Sequence, residues 1–103
     1  MPFDKALQRK LSNIGKESTA AMRRISKERE VEGNPRIFPQ LLAIKKKLER
    51  FHGQMQDARE AGDPEGARKA VVRVGRAIQE AAELEMKAVE AYWKEIKANR
   101  KRA

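Results

Sequence analysis

His52, a few serines and a run of glutamates are the side chains that chemistry in this chain would have to use. His52 is the one histidine. It follows Phe51 and stands beside an apolar seam, not in it. A general base needs a positioned partner and a pocket, and the sequence offers His52 neither. Gly15–Ser18, "GKES", ends like a phosphate-binding loop, but it lacks the first glycine at the required spacing and lies mid-helix. Glu80, Glu83 and Glu85 could ligate a cation. With no histidine nearby and Lys87 four residues after Glu83, they read as helix-surface ion-pair partners instead. Ser12, Ser18 and Ser26 have no base beside them. The expectation is a protein that is not an enzyme and takes no cofactor, metal or small molecule.

What remains is binding chemistry. The 103 residues include 24 Lys and Arg against 15 Asp and Glu, a formal charge of +9. Such a balance favours polyanions or acidic surfaces. Arg50, Lys69, Arg73 and Arg76 form one candidate phosphate-contacting patch where the second and third helices meet near Phe51. Lys97, Arg100, Lys101 and Arg102 form a second, at the chain's end. Cations at a helix C-terminus oppose the macrodipole, but this many exceed that need. Contact of this kind reads phosphates without reading bases, since no recognition-helix motif, zinc pattern or aromatic base-stacking platform is visible. The second candidate surface is apolar: Val89, Tyr92, Trp93 and Ile96, continuing from Met86, with Trp93 as the anchor.

These residues must be positioned by helices. Hydrophobic residues make up 40% and charged residues 38% of the chain, with three Phe, one Tyr and one Trp. Ala, Glu, Lys, Arg, Gln and Leu abound while β-branched residues are few, which favours helix. One domain covering residues 1–103 fits the length. Without cysteine there is no disulfide or thiolate metal site, and no stretch is apolar enough for a signal core or a membrane span. A cytoplasmic protein, or one internal to a virion, is expected.

Periodicity divides the chain into three. A first helix over about 2–30 carries Phe3, Leu7, Leu11, Ile14, Ser18, Ala21 and Ile25 at helical spacing, with Pro2 in its first turn. "VEGNPRIFPQ" interrupts it, and Ile37 and Phe38 within that connection are expected to cap the core. A second helix over about 39–61 repeats Leu41, Ile44, Leu48, Phe51, Met55 and Ala58 at steps of three and four. "AGDPEG" then supplies a stop and a restart within two residues: Gly62 ends a helix, Asp63 caps the next, and Pro64 opens it. The third helix runs over about 64–100.

So short a connection implies an antiparallel hairpin. Each forward step along the second helix is met by a backward step along the third that matches it to within one residue: Ala58 faces Ala67, Met55 Val71, Phe51 Val74, Leu48 Ile78, Ile44 Ala81 and Leu41 Leu84. Lys45 then lies opposite Glu80, and Lys46 or Lys47 near Glu80 and Glu83. The first helix pairs with the second in the same way, through Ile25–Leu41, Met22–Ile44, Ser18–Leu48, Leu11–Met55 and Phe3–Gly62. A second stripe on the third helix, Val72, Gly75, Ala82 and Met86, is expected to face the first. The fold class is all-α: a three-helix up-down-up bundle whose long C-terminal helix projects beyond the hairpin. At ~1.5 Å per residue the third helix spans roughly 55 Å and the second roughly 35 Å. The surplus carries Trp93 and the terminal cations.

Two functions follow as expectations. One is an accessory subunit of a nucleoprotein assembly, possessing both a phosphate contact and a protein-docking tail. The other is a protein–protein module without nucleic acid: a virion piece, an inhibitor of a host or defence complex, or a self-associating adaptor. The first leads, although the acidic stretches at Glu60–Glu65 and Glu80–Glu90 interrupt the basic ones and weaken a continuous phosphate track.

Overall fold

A computed structural model of the chain describes residues 3–28 and 38–102. It contains three α-helices, α1 (Lys5–Glu28), α2 (Phe38–Glu60) and α3 (Pro64–Arg102), and among the described residues no strand. α1 begins later than its apolar periodicity implies. Asp4 is the cap: its Oδ1 accepts the Leu7 N–H at 2.7 Å and its carbonyl accepts the Gln8 N–H at 3.0 Å. Pro2 and the connection at 29–37 lie outside the described residues, as does the side chain of Phe38, so the expected capping of the core by Ile37 and Phe38 is not described either.

The turn between α2 and α3 is built from "AGDPEG". Gly62 has φ +67°, a conformation that costs any L side chain about 1 kcal/mol or more. Its N–H donates to the Arg59 carbonyl at 3.2 Å, and the Asp63 N–H donates to the Ala58 carbonyl at 2.9 Å. Together these close the last turn of α2 as a Schellman motif. Asp63 simultaneously starts α3. Its carboxylate accepts the Gly66 N–H at 3.0 Å, and its carbonyl accepts the Ala67 N–H at 3.0 Å. The carboxylate folds so closely over Gly66 that a Cβ there would collide with it.

Two clusters of buried residues draw on all three helices. One joins Ala21 and Ile25 of α1, Leu41, Ile44 and Leu48 of α2, and Val74, Ala77 and Ala81 of α3. The other joins Leu7 and Leu11, Met55, and Ala67 and Ala70. Phe51, Val71, Ile78 and Leu84 are half-buried around them. The contribution of α3 is mostly alanine, small enough for a helix enclosed by two neighbours at short range.

This differs from the sequence reading of α3. Val72 (52% exposed), Ala82 and Met86 do not turn inward. Of that second stripe Gly75 approaches α1, where its vacant Cβ position lies 3.9 Å from Ile14 Cδ1, while Ala82 and Met86 are exposed but line a groove together with Arg24 of α1. The additional inward residues are Ala70 and Ala77, on the opposite flank of the Ala67–Val74–Ala81 line. Periodicity marks how broad an apolar face is, but not how far around it one neighbour reaches: α2 covers this alanine flank, next to Arg73 and Glu80, which contact Gln54 and Lys47. Ser18 is fully buried, as its place in the α1 seam implies, and its hydroxyl has no hydrogen-bond partner.

The described residues span 66 Å along the longest axis and 21 and 17 Å across it. α3 has 39 residues against 24 in α1 and 23 in α2. Its last buried residue is Ala81.

Candidate functional site

The first cationic patch assembles around one ring. The guanidinium of Arg50 lies 4.9 Å from the Phe51 ring centroid and that of Arg73 6.0 Å from it, so α2 and α3 each bring a cation to the same half-buried aromatic. Arg73 also donates to Gln54 Oε1 at 3.1 Å, which holds the guanidinium near the ring without neutralising it. Lys69 and Arg76 share the Arg73 face of α3 by helical spacing and are exposed. None of these four cations makes an ion pair among the described residues. Guanidiniums held on a ring retain in-plane N–H groups, which is the geometry that takes a phosphate oxygen.

The second patch is separate. Lys97, Arg100 and Lys101 are exposed near the end of α3, roughly 30 Å along the helix from Arg76. Arg102 is the last residue of that helix. The two patches therefore cannot hold one phosphate between them.

Between them lies the apolar surface. Met86 is 65% exposed, Val89 55%, Tyr92 61% and Trp93 54%. Ile96 is half-buried. The Tyr92 and Trp93 rings meet edge to face, with centroids 6.2 Å apart and planes at 70°. At the root of this segment an open groove of about 410 Å³ is lined by Arg24, Ala82, Glu85, Met86, Val89 and Glu90.

Acidic residues are distributed differently from the expectation. Lys45 does not reach Glu80; it pairs along its own helix with Glu49 at 3.9 Å, and Lys47 takes Glu80 at 3.7 Å. Lys47 lies on the flank of α2 next to α3, and Lys45 does not. Glu83 and Lys87 form no pair. Glu85 instead reaches α1, where Arg24 Nε donates to its Oε2 at 3.4 Å, while Oε1 is buried without a partner. This cross-bundle pair was not anticipated, because the reading of α1 concerned only its apolar face. Surface pairs of this kind contribute ~0–1 kcal/mol each.

His52 is half-buried at the contact between α1 and α2, its ring 3.9 Å from the vacant Cβ position of Gly15. Nε2 is 3.5 Å from Gln56 Nε2, and Nδ1 has no partner. The glycine of "GKES" therefore lies mid-helix in α1, facing Met55 and His52 of α2. No helix among the described residues is long and apolar enough to cross a membrane. No family model matches the chain, and neither a curated protein nor a solved structure matches it.

Proposed function

We propose that the chain is a non-enzymatic, basic helical binding module, an accessory subunit of a nucleoprotein assembly. Arg50, Lys69, Arg73 and Arg76 contact nucleic-acid phosphates, with the C-terminal cations as a second contact. Val89, Tyr92, Trp93 and Ile96 dock on protein. The observation that carries the reading is the exposed apolar run Met86–Trp93, which no buried residue of α3 accompanies beyond Ala81. A contiguous apolar strip in water is the usual mark of an interface.

The reading requires an up-down-up bundle with a projecting tail. Its support is the composition of the two clusters. Residues early in α1 gather with late α2 and early α3, and residues late in α1 gather with early α2 and the middle of α3. The contacts Gln54–Arg73 and Lys47–Glu80 run the same way, stepping back along α2 as they step forward along α3.

Phosphate contact is tested by retention on heparin and on duplex DNA across a salt series. Each phosphate engaged releases counterions, so affinity should fall steeply and linearly with the logarithm of salt concentration. Arg73→Ala combined with Arg76→Ala should flatten that slope by about two contacts. Absence of retention at low salt removes the nucleic-acid half of the proposal. The protein-only alternative has one observation in its favour: Arg24, Lys45 and Lys47 are already engaged by acids, which shortens the basic track.

A further inference from the structure

We infer that the exposed stripe of α3 is one half of an antiparallel tail-to-tail seam, and that its occupant is the same segment of a second copy of this chain. The inference rests on the reading of the tail as a docking surface and adds the partner.

The stripe has the pattern of a two-helix seam. Met86, Val89, Trp93 and Ile96 alternate steps of three and four, the spacing at which a helix meets one other helix edge to edge. Beside it run two flanks. One carries Glu83, Glu90 and Lys97; the other carries Glu85, Tyr92 and Asn99. Flanking charges decide the orientation of such pairs.

The tail is polarised along its length, with Glu83, Glu85 and Glu90 towards its root and Lys97, Arg100 and Lys101 at its tip. A segment acidic at one end and basic at the other complements a reversed copy of itself and no parallel one. Two parallel copies would set Glu85 against Glu90 and bring the basic tips together. Reversal about a two-fold axis between Trp93 and Ile96 instead lays each Trp93 on the Ile96 of the second copy. It also sets Glu90 beside Lys97 twice, once on each side of the axis, and Tyr92 beside Asn99.

The same register fits the length of the tail. The segment after Leu84 has its midpoint at Trp93–Lys94, so reversal about that level overlaps it nearly completely. The arriving tip then ends beside Met86 and Val89, at the mouth of the groove walled by Glu85 and Glu90. There the basic end of one copy meets two carboxylates of the other. Lys101 lies outside the seam and remains open to a phosphate.

Sedimentation equilibrium of the full chain at low salt tests the inference, with Glu90→Lys and Lys97→Glu examined alone and as an equimolar mixture. Both positions are exposed, and circular dichroism should show unchanged helicity. The wild type is expected to dimerise reversibly. Each variant alone sets like charges together in both of the symmetry-related 90–97 pairs, and its dissociation constant should rise about tenfold or more. The mixture should recover wild-type affinity, because across the heterodimer every flank pair is again opposite in sign. A wild type that stays monomeric at about 1 mM, a single variant that associates as tightly as wild type, or a mixture no tighter than its components overturns the inference. Acrylamide quenching of Trp93 in the monomer separates this from failure of the docking reading. An accessible indole in a persistent monomer defeats the second copy as occupant, whereas a shielded one defeats the docking surface itself.

Discussion

Trp93→Ala distinguishes an indole that stabilises the monomer from one held out for contact. Fully burying a large apolar side chain is worth up to ~3 kcal/mol, and deleting a buried aromatic typically costs ~3–5 kcal/mol once the cavity is included. Trp93 is 54% exposed and lies well beyond Ala81, the last buried residue of α3. Its partial cover comes from Tyr92 and the adjoining turns of its own helix, with no core to collapse when it is removed. Alanine is also the better helix former, which returns ~0.5 kcal/mol. The expected net cost to the monomer is therefore below about 1 kcal/mol. Leu48→Ala supplies the scale: Leu48 is 0% exposed and central to the larger cluster, so its truncation should cost ~2–5 kcal/mol.

The assay is urea unfolding followed by far-ultraviolet circular dichroism, at concentrations low enough to keep the chain monomeric. With a slope of ~1 kcal/mol/M for a domain of this size, Leu48→Ala should shift the midpoint by more than ~2 M and Trp93→Ala by less than ~1 M. Since Trp93 is the one tryptophan, the emission of the wild-type monomer reports on that ring alone. It should be red-shifted and readily quenched. A Trp93→Ala loss equal to that of Leu48→Ala, with blue-shifted wild-type emission, would mean that the ring is covered within one molecule and would refute the reasoning.

Three further changes probe the scaffold. Gly62→Ala forces a Cβ into the left-handed conformation at the α2–α3 turn and should cost about 1 kcal/mol in urea unfolding. Gly66→Ala should also destabilise, by about 1 kcal/mol, although alanine is the better helix former, because its Cβ displaces the Asp63 carboxylate from the cap. Ser18→Ala should raise stability by roughly 1 kcal/mol, since it removes a buried hydroxyl that has no partner. A decrease for Ser18→Ala would mean that the hydroxyl has a hydrogen bond in solution.

The elements were legible because their signals are local. Steps of three and four, Pro64 and the Gly62–Asp63 pair place α2 and α3 within a residue or two of their observed bounds. The start of α1 was less so: apolar periodicity carries the helix back to Phe3, whereas the Asp4 carboxylate caps it at Lys5 by accepting the Leu7 N–H. Tertiary choices were hidden for a different reason. Ala70 and Ala77 are indistinguishable in sequence from the exposed alanines that fill any helix, and they are buried because α2 lies along that flank, where Arg73 and Glu80 reach Gln54 and Lys47. The Lys45 and Lys47 partners likewise depended on the rotation of α2 about its axis, which apolar spacing leaves free by tens of degrees. Of the candidate surface, the exposure of Val89, Tyr92 and Trp93 was foreseeable from the lengths of the helices. The pairing of Arg50 and Arg73 over Phe51 needed the register of two helices at once.

The tail raises a physical question that the bundle does not answer. A helical segment of this length is marginal in water by itself, and α3 continues for some twenty residues after its last buried position. Continuity with the packed part of α3 removes the cost of nucleation, and the alanines with Glu90 and Lys94 at a four-residue spacing favour propagation. Those features would hold the helix with a wholly polar face. The apolar residues in it contribute little to the isolated chain and expose Met86, Val89, Tyr92 and Trp93 to solvent. Their energetic return comes only when the stripe is covered, and covering it also stabilises the helix that presents it. Docking and tail helicity are then one coupled equilibrium: whatever binds the stripe should protect the amide protons of α3 from exchange beyond Leu84 while leaving those around Val74 as they were.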